Sequence, residues 1–95
     1  MKKIQYPLQN TNIVFREEND KWAVLFDPDS GETYGLDPLG IFVWKSLNGK
    51  LSIEEITTNL RDNFLNILDL SKQNVEEDVE TFVNELVDEG LAVLS

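Results

Sequence analysis

Residues 34–56 constrain the fold more than any other stretch of this chain. They read Tyr-Gly-Leu-Asp-Pro-Leu-Gly-Ile-Phe-Val-Trp-Lys-Ser-Leu-Asn-Gly-Lys-Leu-Ser-Ile-Glu-Glu-Ile. Asp37 followed by Pro38 marks a helix start. An Asp oxygen accepts from the free N–H groups of the first turn, and proline at the first helical position gives up no hydrogen bond. Leu39, Ile41, Phe42, Val43, Trp44 and Leu47 make this helix apolar on nearly all sides, so neighbours must cover it. Gly40 inside it costs about 1 kcal/mol against Ala, which implies a close backbone approach. Asn48-Gly49 ends the helix. Ser52 with Glu55 is a capping box that opens a second helix, with Ile53, Ile56, Leu60 and Phe64 as its inner stripe.

Upstream, three short strands are expected in hairpin order. Residues 12–18 alternate weakly, with Ile13 and Phe15 on one face. A turn at Asn19-Asp20 leads to residues 22–26, where Trp22, Val24 and Phe26 share one face and Ala23 and Leu25 the other. In Asp27-Pro-Asp-Ser-Gly31, proline fixes φ, Asp and Ser bond back to the backbone, and Gly accepts positive φ. Residues 32–36 form the third strand, with Tyr34 and Leu36 inward. Residues 1–11 are polar apart from a few side chains and carry Pro7, and are read as a flexible N-terminal arm.

Downstream, a third helix is expected to begin at Ser71 or Asn74. Val75, Val79, Phe82, Val83, Leu86 and Val87 give it a wide apolar face, and Gly90 stops it. Residues 91–94 form a terminal strand or an extended tail that could swap between chains. The chain is therefore expected to be an α+β domain, residues 12–95: a three-stranded antiparallel sheet followed by three helices, in a winged helix-turn-helix-like arrangement.

Composition narrows the chemistry. With 95 residues, one domain with one modest core is expected. Neither Cys nor His occurs, so there is no thiolate or imidazole for a metal, and no Ser-His or Cys-His pair for catalysis. Adjacent carboxylates such as Glu54-Glu55 and Glu76-Glu77-Asp78 point to different faces of a helix. Asp78, Glu85 and Asp88 come near one face, but the sequence shows no sign of a pocket there. Gly31, Gly35 and Gly40 are spread over a turn, a strand and a helix rather than forming a phosphate cradle. No enzymatic activity, metal or cofactor is expected. The N-terminal lysines lack an apolar run behind them, and no window suits a membrane span, so a cytoplasmic protein is expected, with no membrane partner.

The net charge of −10 is unevenly placed. Glu76, Glu77, Asp78, Glu80, Glu85, Asp88 and Glu89 fall in residues 74–95 without one basic residue. A recognition helix so charged would repel phosphate backbones, so nucleic acid is excluded as a partner. Acidic faces keep a small protein dissolved, and they also favour a basic or neutral partner. The third strand is the feature suited to a peptide. If it lies at the sheet edge, an extended peptide can pair with it; the alternative is that it is merely an edge strand kept short against aggregation.

The 34–56 string resembles the PqqD family, with its leucine, Asn or Asp, small residues, aliphatic-aromatic pair, leucine-Asp/Asn-Gly and Ser/Thr-x-x-Glu-Ile. Residues 75–91 are similar to that family's ending, Asp-Val-x-x-Phe-Leu-x-x-Leu-x-x-x-Gly-Leu. The resemblance covers about residues 13–94. It implies a peptide chaperone, or RiPP recognition element. Such a protein binds the leader segment of a ribosomally made precursor peptide and presents it to a modifying enzyme, such as a radical SAM protein or a leader protease. It also implies that the leader adds as a strand to the third strand and packs on the third helix. Carried onto this chain, that names Thr33, Tyr34, Gly35 and Leu36 on the strand and Val75, Asp78, Val79 and Phe82 on the helix. One departure is the longer, apolar connector with Leu65, Ile67, Leu68 and Leu70, read as core filling or as a docking patch. The other function open from sequence is an acidic winged-helix adaptor that binds proteins in regulation.

Overall fold

The computed structural model of the protein describes residues 4–64 and 74–94. The elements run β1 (Pro7–Gln9), β2 (Val14–Asn19), β3 (Trp22–Phe26), β4 (Thr33–Leu36), α1 (Pro38–Lys45), α2 (Ile53–Phe64), α3 (Val75–Asp88) and β5 (Ala92–Leu94). Strands β2, β3 and β4 form an antiparallel sheet in that order, followed by the three helices. This is the α+β architecture expected from the sequence. The connector residues Leu65, Ile67, Leu68 and Leu70 lie outside the described residues, as does Ser71. No helix among the described residues is long and apolar enough to cross a membrane.

Local chemistry explains each turn of the chain. Asn19 Oδ1 accepts from the Lys21 N–H at 2.8 Å, so the β2–β3 turn is Asp20-Lys21, one residue later than expected. A register shift between Glu17 and Asn19 accommodates it. In the next turn Asp27 Oδ1 accepts from Asp29 N–H at 2.9 Å, and Gly31 takes φ of 78°, conformationally cheap for glycine. Asp37 Oδ1 accepts from Gly40 N–H at 2.7 Å and caps α1. Ser52 and Glu55 exchange the two bonds of the capping box. Asn74 caps α3 through Glu77 N–H at 3.1 Å. At the other end, Leu91 N–H reaches Leu86 C=O and Gly90 N–H reaches Val87 C=O, with Gly90 at φ 76°. This is a Schellman ending.

The helices cover one face of the sheet. Cross-strand register aligns Phe15, Leu25 and Tyr34, then Ala23 and Leu36, on that face. Ala23 and Leu25 are fully buried there. They join Val43, Trp44 and Leu47 from α1 and its exit, Ile56 and Leu60 from α2, and Val79, Val83 and Leu86 from α3. The apolar α1 is indeed central, packing on β3, β4 and α2. A Cβ built on Gly40 would stand 3.2 Å from Leu36 Cδ2 and 3.4 Å from Phe82 Cζ, the close approach its presence implied.

The N-terminal stretch, expected as a flexible arm, contains a paired strand. Strand β1 runs antiparallel to β5, with Leu8 opposite Val93. Gln9 N–H donates to Leu47 C=O, Gly49 N–H to Pro7 C=O, and Gln9 Nε2 to Trp44 C=O. Pro7 is among the fully buried side chains. The segment thus binds the exit of α1 to the tail that follows α3, and the tail pairs within its own chain.

Two outcomes test this account. Asp37→Ala should cost about 1 kcal/mol in a denaturant titration, the worth of an N-cap. A chain beginning at Asn12 loses the β1–β5 pair and the Pro7 and Leu8 contacts. It should be less stable than the full chain by at least about 2 kcal/mol.

Candidate functional site

The third predicted strand, β4, stands at the end of the sheet order, and among the described residues no strand pairs with its far side. Which backbone groups it presents follows from the ladder. Asp27 N–H donates to Glu32 C=O at 3.0 Å, so that pair occupies a hydrogen-bonded position. Such positions alternate in an antiparallel pair, and the register then makes Leu25–Tyr34 and Ala23–Leu36 the next bonded pairs. Thr33 and Gly35 accordingly turn their N–H and C=O groups outward. Those groups are ready to pair with another strand.

Beside this edge lies a groove of about 450 Å³, lined from the sheet by Tyr34, Gly35 and Leu36 and from α3 by Val75, Asp78, Val79 and Phe82. The sequence-derived site residues therefore converge on one groove, except Thr33, whose side chain is exposed and is not in the lining. Thr33 belongs to the edge through its backbone. Asp78, which the sequence alone placed on a helix without a pocket, sits at this one. Leu39, Gly40 and Val43 of α1 and Leu60 of α2 complete the floor. Sequence reasoning assigned these four to the core or to packing; the signal that could have added them is the apolar excess around α1.

Trp22 and Asp37 also line the groove, though the sequence did not name them as site residues. Asp37 could have been found, since the residue that links β4 directly to α1 must flank any groove between them. Trp22 carried no such signal, because it lies on the opposite face of β3 from the core.

The groove is apolar below and acidic at its rim. Its charged lining residues are Asp37 and Asp78, both exposed. Tyr34 and Phe82 face each other with ring centroids 6.4 Å apart, a spacing at which aromatic pairs attract. The Tyr34 hydroxyl donates a long bond of 3.3 Å to Glu85 Oε2. Burial, then the nearby Glu85 carboxylate, pushes the Tyr34 phenol above its ordinary value. Tyr34 is therefore a neutral donor at physiological pH. Any stabilisation tied to this shift is complete below the unfolded value near ~10 and is lost only as pH rises through the higher folded one.

An open strand edge over an apolar trough suits one class of ligand: an extended chain that offers backbone groups to Thr33 and Gly35 and alternate side chains to the floor. Among the described residues no group of three Asp, Glu, His or Cys is placed to hold a metal.

No curated protein matches the chain in sequence. The structure of TbiB1 in complex with the TbiA(beta) leader peptide superposes with a TM-score of 0.72 at 25% identity, covering 90% of this chain and 93% of that one. The heterocyclase TruD contains a similar fold, with a TM-score of 0.61 at 17% identity, over 96% of this chain and 12% of its own. The family model for coenzyme PQQ synthesis protein D matches residues 23–92, from β3 to the first residue of β5, and the chain belongs to the PqqD family.

Proposed function

We propose that this protein is a leader-peptide chaperone: it binds the leader segment of a ribosomally synthesised precursor peptide along β4 and presents it to a modifying enzyme. The observation that carries this reading is the unpaired β4 edge lying directly over the apolar groove against α3. Backbone pairing supplies register and part of the affinity. Side chains that enter between Leu36, Val79 and Phe82 supply the rest. The family and the likeness to a leader-peptide complex support the same reading. They favour it over the acidic winged-helix adaptor that the sequence left open.

The chain itself performs no chemistry in this reading. It lowers the cost of catalysis on a flexible substrate by fixing one end of it, so that the modifying enzyme meets the core peptide at a raised effective concentration. The enzyme is a radical SAM protein or a leader protease, and the encounter takes place in the cytoplasm. The carboxylates at the rim favour a leader with Lys or Arg beside its apolar residues. They also repel nucleic acid.

The test of strand addition is Gly35→Pro. It deletes an outward N–H while sparing the bonds to β3, and its ring also pushes the exposed Trp22 indole aside; Gly35→Ala, which displaces the same indole but keeps the N–H, is the control, and both proteins should stay folded. The affinity of the Gly35→Pro protein for the leader peptide encoded beside its gene, measured by calorimetry, should fall about tenfold or more. Wild-type affinity in a folded Gly35→Pro protein rules out this edge. The rim is tested by Asp78→Asn, which should weaken a leader carrying Lys or Arg by roughly two- to fivefold, the range of an exposed ion pair. Raising the salt concentration should abolish that difference.

A further inference from the structure

Along β3, Ala23 and Leu25 point into the core, so Trp22 points to the outer face of the sheet, with Val24 and Phe26. It is 47% exposed there. Yet its indole also lines the groove, whose floor lies on the inner side of β4.

Gly35 makes both statements true. Gly35 lies across the ladder from Val24, and Trp22 is its diagonal neighbour on the same face. The six-membered ring of the indole lies over the Gly35 backbone, so that a Cβ built on Gly35 would stand 2.5 Å from Trp22 Cζ2. A side chain at this position would have to push the ring aside. The ring therefore crosses the edge strand where it has no side chain and reaches the mouth of the groove.

A strand added to β4 alternates its side chains between two faces. Those in line with Tyr34 and Leu36 descend toward Val79 and Phe82. Those in line with Thr33 and Gly35 rise to the outer face, where they meet the Trp22 ring. We propose that Trp22 forms the second wall of the peptide site and reads the side chain next to the one buried in the groove. This rests on the strand-addition reading above and sharpens its ligand. The peptide must carry large apolar side chains at two consecutive positions, one for the groove and one for the indole, rather than at alternate positions only. An indole presents a wide, rigid apolar surface that loses little conformational freedom on contact, so the second position contributes affinity as well as register.

The experiment is a calorimetric titration of the full chain with a synthetic peptide: the leader of the precursor encoded nearest its gene, together with its single-serine variants. Wild-type protein should show two adjacent apolar positions at which serine weakens binding. Trp22→Ala should bind about tenfold more weakly and should lose its sensitivity to serine at only one of those two positions. Gly35→Ala keeps the N–H but forces the ring aside, so it should reproduce the Trp22→Ala behaviour and cost nothing further when combined with it. Trp22→Phe should restore part of the affinity, which separates loss of contact from loss of fold. Trp22 emission should shift to the blue on binding, with the buried Trp44 as the unchanged background. Trp22→Ala protein with wild-type affinity and an unchanged serine profile overturns the proposal and leaves strand addition standing. Absence of any binding by the wild-type protein overturns both.

Discussion

Asp37 is the constraint on which this architecture turns. It is the only residue between the last residue of β4 and the first of α1, and its side chain caps the helix at Gly40. With no slack between them, the edge strand and α1 must diverge from one point. The wedge they leave is filled from the other side by α3. Gly40 then permits the approach of Leu36 and Phe82 that sets the width of the groove. A longer connection would have let α1 slide, and the wedge would have closed as core.

The charge distribution serves the same wedge. An acidic protein carrying an open strand edge faces two hazards, pairing with copies of itself and holding the wrong partner. The net charge of −10 opposes the first, since like-charged copies repel. The edge is also only four residues long, shorter than most strands that template aggregation. The carboxylates Asp37 and Asp78 stand at the rim rather than on the floor, so the floor stays apolar without burying a charge. Such an arrangement keeps the site both soluble and greasy, which is what an extended apolar segment of a charged peptide requires.

The two faces of the sheet do different work. The inner face, where Ala23, Leu25 and Leu36 are buried, is where the helices pack. The outer face carries Trp22, Val24 and Phe26, of which Trp22 and Phe26 are exposed. The bulky residues left outside are free to face a ligand.

The elements of this fold were legible in the sequence because their signals are local. Asp37-Pro38, the Ser52–Glu55 box, Asn74 and Gly90 each satisfy or end a helix through groups within a few residues, so the chain announces them without needing a neighbour. The candidate site on β4 and α3 was named through the family resemblance, and its α3 side through periodicity. Other features depended on residues that meet only after folding. Alternation along β3 told which side chains share a face but not which face the helices would cover. Strand β1 was unreadable because its partner β5 lies at the far end of the chain, and three residues with one proline look like an arm until that partner is beside them. Trp22 joined the groove only because a neighbouring strand happens to offer a glycine beneath its ring. The sequence by itself determined the helix caps and stops and how the apolar residues of each helix are spaced, since these follow from bonds between near neighbours. Only the tertiary structure decided which edge stays open and which side chains reach it, because those depend on contacts between residues far apart in the chain.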